Sequence, residues 1–315
     1  MHSGIGPRKQ LDQYNIPIVQ PNDAVGQGLR DHMFVPVVHD RTPTSTTRAS
    51  FYGDVKAMED ALEQWKKDGT GPWAKYACET GIGFFKLKDM AQYKEFQDLP
   101  ADEQKYLLQE TVPHYELVTH YPIHWTPGFP KDMLNCSCLL VFYYNAQSRG
   151  EVALQSSDPG IPLRFDPKFL GSPFDRRVAI ESLRELLRFT KFEAYARDSV
   201  AQVIGPKSDS DQDLLDYWAQ TVGSSWHMTG TVKMGKPGEP DTIVDNKFRV
   251  AGIDNLRVAD MSVVPVLPSC HVQAVAYITG VTCSERIQQE YGLTSLESQR
   301  NVRLQDIGCS GTSGL

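Results

Sequence analysis

A chain of 315 residues, 40% hydrophobic and 23% charged, has the composition of an ordinary globular protein with one large or two smaller domains. It is long enough to bury a substantial core. Its formal net charge of −7 argues against a nucleic acid or an anionic membrane as partner, because both attract basic surfaces.

No apolar run approaches the roughly 20 residues that span a bilayer. Six cysteines are present, none in a C-x-x-C pair, and Cys136-x-Cys138 has no His or Cys partner at zinc-like spacing. Free buried thiols and no metal site are expected, which leaves the compartment open. Met1-His2-Ser3-Gly4 has no leader pattern, an observation without weight if Met1 is an internal position of a longer protein.

In chain order, Ser3-Gly4-Ile5-Gly6-Pro7 is a turn, followed by a short helical pattern over 11–14 and a predicted strand over 16–19. Val25-Gly26-Gln27-Gly28-Leu29-Arg30-Asp31-His32 reads as a loop. Two glycines so close together point to positive φ or close backbone approach. Val55, Met58, Leu62 and Trp65 recur at helical spacing, and Gly69 stops this helix over 54–67. A second short helix fits 101–109. Residues 137–144 are rich in strand formers, and 149–155 alternate like a half-buried strand. The stretch 145–150 between them predicts the turn of an antiparallel hairpin.

Ser172-Pro173-Phe174-Asp175 is a strong helix start: Ser caps, Pro takes the first helical position, and Asp stands where a capping-box acid belongs. Val178, Leu183, Leu186, Leu187 and Phe189 follow as its apolar residues. Another helix fits 211–222, with Leu214, Leu215 and Trp218 on one face. The last regular element runs from His271 to about Tyr291, with Gly292 as its stop. Residues 295–315 are a polar, frayed tail.

Two histidines are the candidate residues for chemistry. His227 lies in Ser225-Trp226-His227-Met228-Thr229-Gly230-Thr231, among small and hydroxyl-bearing residues. His271 follows Pro268-Ser269-Cys270 and opens the last helix. A helix start presents free N–H groups and partial positive charge, which biases a histidine there toward the neutral, proton-accepting imidazole. The same N–H groups can bond an anionic ring atom of a cofactor. A lone histidine is more often a satisfied core or surface residue, so the surrounding pattern decides.

Between the two run Val244-Asp245, Arg249-Val250 and Leu256-Arg257-Val258-Ala259-Asp260-Met261-Ser262-Val263-Val264-Pro265. Upstream stand Ser148-Arg149-Gly150-Glu151-Val152 and Pro173-Phe174-Asp175-Arg176-Arg177. Order, spacing and residue types resemble the C-terminal half of the glucose–methanol–choline (GMC) family of FAD-dependent oxidoreductases. The resemblance covers about residues 3–292 and is weakest over 50–135.

That resemblance implies an α+β fold. An antiparallel-sheet substrate domain over 41–225 would join parts of an FAD-binding α/β domain at 1–40 and 226–294, with a flexible tail over 295–315. It implies FAD as cofactor and a small-molecule alcohol as substrate. His227 would be the general base, with His271 holding the substrate oxygen. Asp260 would contact the ribityl–phosphate region, the backbone of Val272 and Gln273 would meet the flavin ring edge, and Trp226 would line the substrate side. Trp226 as a core aromatic, Asp260 as a turn cap and Cys270-His271 as a thiolate–imidazole pair stay open as alternatives.

The departure is at the front. The family's chains carry G-x-G-x-x-G in a βαβ unit that holds the FAD pyrophosphate on a helix N-terminus. Every Gly-x-Gly here (4/6, 26/28, 69/71 and 81/83) lacks the third glycine. The chain therefore reads as a C-terminal portion. Three functions compete: an FAD-dependent alcohol oxidase or dehydrogenase acting in secondary metabolism, an inactive fragment, and a GMC-like non-redox cyclase or dehydratase. The missing front would leave an apolar face exposed, which predicts self-association or a partner chain.

Overall fold

Residues 136–143 are buried without exception, and this strand organises the molecule. The computed structural model describes residues 1–42, 54–74, 81–121 and 136–293. In chain order the elements are β1 (Ile5–Gly6), α1 (Arg8–Gln13), β2 (Gln20–Pro21), β3 (Gln27–Leu29), β4 (Met33–Arg41), α2 (Val55–Asp68) and β5 (Ile82–Phe85). Then come α3 (Lys94–Gln97), α4 (Ala101–Leu107), β6 (Tyr115–Tyr121), β7 (Cys136–Tyr143), β8 (Gly150–Ala153) and β9 (Arg164–Asp166). The last are α5 (Pro173–Phe189), α6 (Glu193–Ala196), β10 (Ser199–Ile204), α7 (Asp211–Thr221), β11 (Gly223–Ser224) and α8 (Gln273–Tyr291). The fold is α+β, as expected.

The strand β7 is continuously apolar because it is central in an antiparallel sheet of order β10-β4-β7-β6-β5, with β11 also on β4. Side chains alternate between its two faces. Val35, Val37, Leu139, Val141 and Tyr143 pack with Phe174, Val178, Leu183 and Leu186 of α5 and with Trp218 of α7. Val38, Cys138, Leu140, Phe142, Tyr144 and Val118 form a second cluster. The register Met33↔Tyr143 and Glu116↔Phe142 sets what lies on that second face.

The helix α5 begins as its sequence predicts. Ser172 Oγ accepts from the Asp175 N–H, and Pro stands in the first turn. Its buried Val, Leu, Ile and Phe side chains each contribute about 1.5–3 kcal/mol by leaving water. Asp175, however, does not close a capping box. Its fully buried carboxylate accepts from Tyr143 Oη (2.8 Å), Gln147 N (2.7 Å), Ser148 N (2.8 Å) and Ser148 Oγ.

That grip overturns the predicted hairpin. The strands β7 and β8 do not pair; β8 is the middle strand of a separate sheet, β3-β8-β9. Asn145, at φ 64, turns the chain, and Asp175 then holds 147–148 in a corner that carries it to the other sheet. Two smaller corrections follow. Residues 16–19 form no strand: the Ile16 N–H turns back to the Leu11 carbonyl oxygen (2.9 Å), and Gln20–Pro21 pairs with β1 instead. The last helix starts at Gln273 with Val272 as its N-cap, so His271 lies just outside it. The expected glycine geometry holds at Gly26 (φ 85), where an added Cβ would meet the Val152 carbonyl oxygen at 2.3 Å.

The C-terminal segment is built differently. Val25, Ile243, Val244, Phe248, Val250, Val263 and Cys283 form a small core joined by isolated bridges such as Met234↔Val244 and Val244↔Val250. Only Thr279 and Cys283 of α8 are buried. The cysteines Cys136, Cys138, Cys270 and Cys283 are free. The tail expected over 295–315 lies outside the described residues.

Candidate active site

The segment before β4 and the loop after β11 form one unit. Ser224 pairs with Met33, and Thr229 bridges Arg30 through two backbone bonds of 2.9 and 3.1 Å. Four residues, 225–228, therefore span what Asp31 and His32 span opposite. The surplus bulges out, with Trp226 at φ 58 and 80% exposed.

The carboxylate of Asp31 fills the inside of the bulge. It accepts the His227 N–H (2.9 Å) and the Ser224 hydroxyl, and Ser225 Oγ lies 3.4 Å away. The Ser225 N–H and Oγ both donate to the His32 carbonyl oxygen (3.1 and 2.8 Å). Burial raises the Asp31 pKa, and the Ser224 and His227 hydrogen bonds oppose that rise.

The rings stand in series. His32 Nδ1 lies 2.9 Å from His227 Nδ1. The His227 and His271 rings are 5.3 Å apart, centre to centre, and nearly perpendicular at 85°. His271 Nε2 is 3.0 Å from Glu116 Oε1, and the other Glu116 oxygen accepts from Tyr144 Oη. Tyr144 packs edge-on against His32 at 4.4 Å, and Phe84 stacks on Tyr144 at 6.0 Å. Ahead of His271, Ser269 Oγ donates to Asn145 Oδ1 (2.7 Å) and ties the segment to the end of β7.

The electrostatics separate the two predicted histidines. Burial, then the neighbouring His271, pushes His227 down to about 4, so it is neutral at pH 7. His32 is held well below its ordinary value by burial and by both other imidazoles. His271 goes the other way: its hydrogen bond to Glu116 raises its pKa against the cost of burial. The expectation that a helix start keeps His271 neutral is therefore corrected, because a buried carboxylate outweighs the helix end. Burial and Glu116 raise the Cys270 thiol, which speaks against a thiolate there.

The His227 and His271 rings come together as expected, while the side chain of Trp226, next to His227 in sequence, projects to solvent. Val272 is buried and caps α8, Gln273 begins it, and no side chain caps that end. Asp260 caps a turn by accepting the Ser262 N–H (2.7 Å) and is exposed. The sequence reading missed Asp31, His32, Glu116 and Tyr144. A usable signal existed for one of them: Glu116 is the lone acid in the strand-forming run Tyr115-Glu116-Leu117-Val118. No His/Cys/Asp/Glu group among the described residues is arranged as a metal site.

Comparison with known proteins agrees with this architecture. Residues 146–280 match the GMC oxidoreductase C-terminal family model. The dehydrogenase pkfF of Emericella nidulans is 29% identical over 298 residues, 92% of this chain and 47% of that protein. The glucose-methanol-choline family oxidoreductase mfmG of Annulohypoxylon moriforme is 30% identical over 275 residues, 85% of this chain and 44% of that protein. A formate oxidase of Aspergillus oryzae, studied for its FAD modification, superposes with a TM-score of 0.78 at 25% identity, covering 92% of this chain and 52% of its own.

The fold is thus that of a flavoenzyme's C-terminal half. The chain belongs to the GMC oxidoreductase family. It spans about half the length of the curated relatives it matches.

Proposed function

We propose that this chain forms the substrate-facing wall of an FAD-dependent oxidoreductase that oxidises an alcohol CH–OH group to a carbonyl in secondary metabolism. The observation that carries the reading is the pair of imidazoles 5.3 Å apart at an open edge, one neutral and one backed by a buried carboxylate.

The residues present fit one side of a flavin. The uncapped start of α8 offers N–H groups beside His271, and the backbone of Val272 and Gln273 would meet the ring edge. Asp260, exposed beside its turn, would reach the ribityl–phosphate region. A G-x-G-x-x-G loop for the pyrophosphate is not among these 315 residues.

FAD, when bound, supplies the hydride acceptor. His227 accepts the substrate hydroxyl proton, because it is neutral and its loop is clamped by Asp31. His271 holds the substrate oxygen, with its ring fixed by Glu116. Trp226 and Phe84, both exposed, wall the approach and orient the C–H bond.

One observation favours a second reading. The Glu116–His271 pair is the stronger base of the two, so the hydroxyl proton could go there. The pH profile of kcat/KM separates them: a limb near 4 belongs to His227, and one above 6.5 to His271.

The reading as a whole is tested by supplying the chain with FAD, desalting it and recording absorbance near 450 nm, roughly where oxidised flavin absorbs. Alcohols are then screened for reduction of an electron acceptor. Retained flavin with alcohol-dependent reduction supports it. A folded chain that keeps no flavin would be an inactive fragment. Conversion of substrate without acceptor reduction would replace oxidation by a non-redox cyclisation.

A further inference from the structure

We propose that His32 is a positioning residue that fixes the tautomer of His227, holding its proton on Nδ1 and leaving Nε2 as the free base. The inference rests on the reading of His227 as proton acceptor. It starts from the 2.9 Å separation of the two Nδ1 atoms. Two imidazole nitrogens this close share one proton: one ring must donate and the other accept.

The surroundings of His32 decide which ring donates. His32 is completely buried. Its Nε2 makes no hydrogen bond of good geometry, yet the Pro268 carbonyl interacts with the ring in the sense that favours a proton. If His32 donated from Nδ1, its buried Nε2 would present a lone pair although the Pro268 backbone favours a proton on the ring. His32 therefore keeps its proton on Nε2 and accepts at Nδ1. His227 donates Nδ1–H to it, and the lone pair of His227 stands on Nε2.

An isolated histidine side chain favours the opposite tautomer, with hydrogen on Nε2 and no lone pair there. The contact to His32 reverses that preference. It is rigid on both sides. His32 leads directly into β4, its carbonyl oxygen accepts both Ser225 donors, and Tyr144 packs against its ring. Asp31 fixes the backbone of His227 while its neighbour His32 fixes the ring. The tautomer is thus set by two consecutive residues in the segment that leads into β4.

Histidine-selective ¹⁵N labelling of the full chain, read by NMR at neutral pH, tests this without flavin or substrate. In the unaltered chain, Nδ1 of His227 should be of the protonated, pyrrole type and Nε2 of the pyridine type. His32→Asn keeps an acceptor oxygen at the place of Nδ1 and should preserve that spectrum. His32→Leu should move His227 toward the Nε2–H form. In the FAD-loaded chain, His32→Leu should lower kcat by about 10²-fold with little change in KM, and His32→Asn should restore most of it.

An Nε2–H signal for His227 in the unaltered chain overturns the inference, and that result needs no variant to fold. An unchanged His227 spectrum in folded His32→Leu also overturns it. If the spectra behave as expected and no alcohol is oxidised, the tautomer assignment stands and the proposed activity fails by itself.

Discussion

Two helices of similar length meet opposite fates in this molecule. The helix α5, 17 residues, buries eight of them against the large sheet, while α8, 19 residues, buries two. The difference lies in what each was built to face. The apolar residues of α5 gather on one stripe, and Asp175 in its first turn locks it to the corner after β7. The helix α8 spreads its apolar residues around its circumference, a pattern suited to a helix covered on several sides. The sheet region is closed on itself. The C-terminal segment leaves most of α8 exposed, and the histidine pair sits where it meets the sheet region.

The strongest way to break this comparison is to attack the closed region. Asp175→Ala strands donors from Tyr143, Gln147 and Ser148 in the interior, and an unsatisfied buried group costs about 1–3 kcal/mol. The expected loss is on the order of 3–5 kcal/mol, read from urea unfolding. Leu183→Ala, at a fully buried site, should cost about 2–5 kcal/mol. If either change left the unfolding midpoint in place, the sheet would not be the source of stability.

His227→Asn provides the converse. It should lower kcat of the FAD-loaded chain by about 10²–10⁴-fold. Stability should change by less than about 1 kcal/mol, because the half-buried ring has one hydrogen-bond partner and the Asp31 clamp acts on backbone. Parallel losses of activity and stability would mean that the histidine pair is structural.

Acid sharpens the same contrast. His114 is buried, accepts the Leu87 N–H at Nδ1 (2.9 Å) and bonds the Leu107 carbonyl oxygen through Nε2 (3.0 Å). Burial lowers its pKa to about 4. The folded chain therefore resists protonation that the unfolded chain accepts below about 6.5. Stability from this site is complete above pH 6.5, falls as pH drops toward 4, and levels off below. The fall amounts to about 3 kcal/mol at most. His114→Gln should flatten that part of a stability–pH curve. An unaltered slope would assign the acid sensitivity to another group.

How much was legible in the sequence follows from how far apart the deciding residues lie. The continuous strand formers of 137–144 announced a buried strand, and Ser172 to Asp175 announced α5, because both signals are local. The two histidines were legible for the same reason. The partners that give them their character were not. Asp31 and His32 come from the segment before β4, some 195 positions before His227, and Glu116 reaches His271 through the register Glu116↔Phe142. The hairpin that did not form teaches the same lesson: 145–150 looks like a turn, and Asp175, far downstream, converts it into a corner. Electrostatic character depends on contacts that periodicity does not encode.

The smallest effect on stability tests the open half of the comparison most directly. On α8, Tyr277, Ile278 and Val281 are 71%, 63% and 56% exposed. Apolar faces of this kind drive association when nothing covers them. Replacing Tyr277 and Ile278 together by Lys should convert self-associating material toward monomer in sedimentation experiments. Because neither side chain is buried, the unfolding free energy of the monomer should change by no more than about 0.5 kcal/mol. Monomeric behaviour of both versions would show that this face does not drive association. A large loss of stability would mean that α8 is packed against the body in solution.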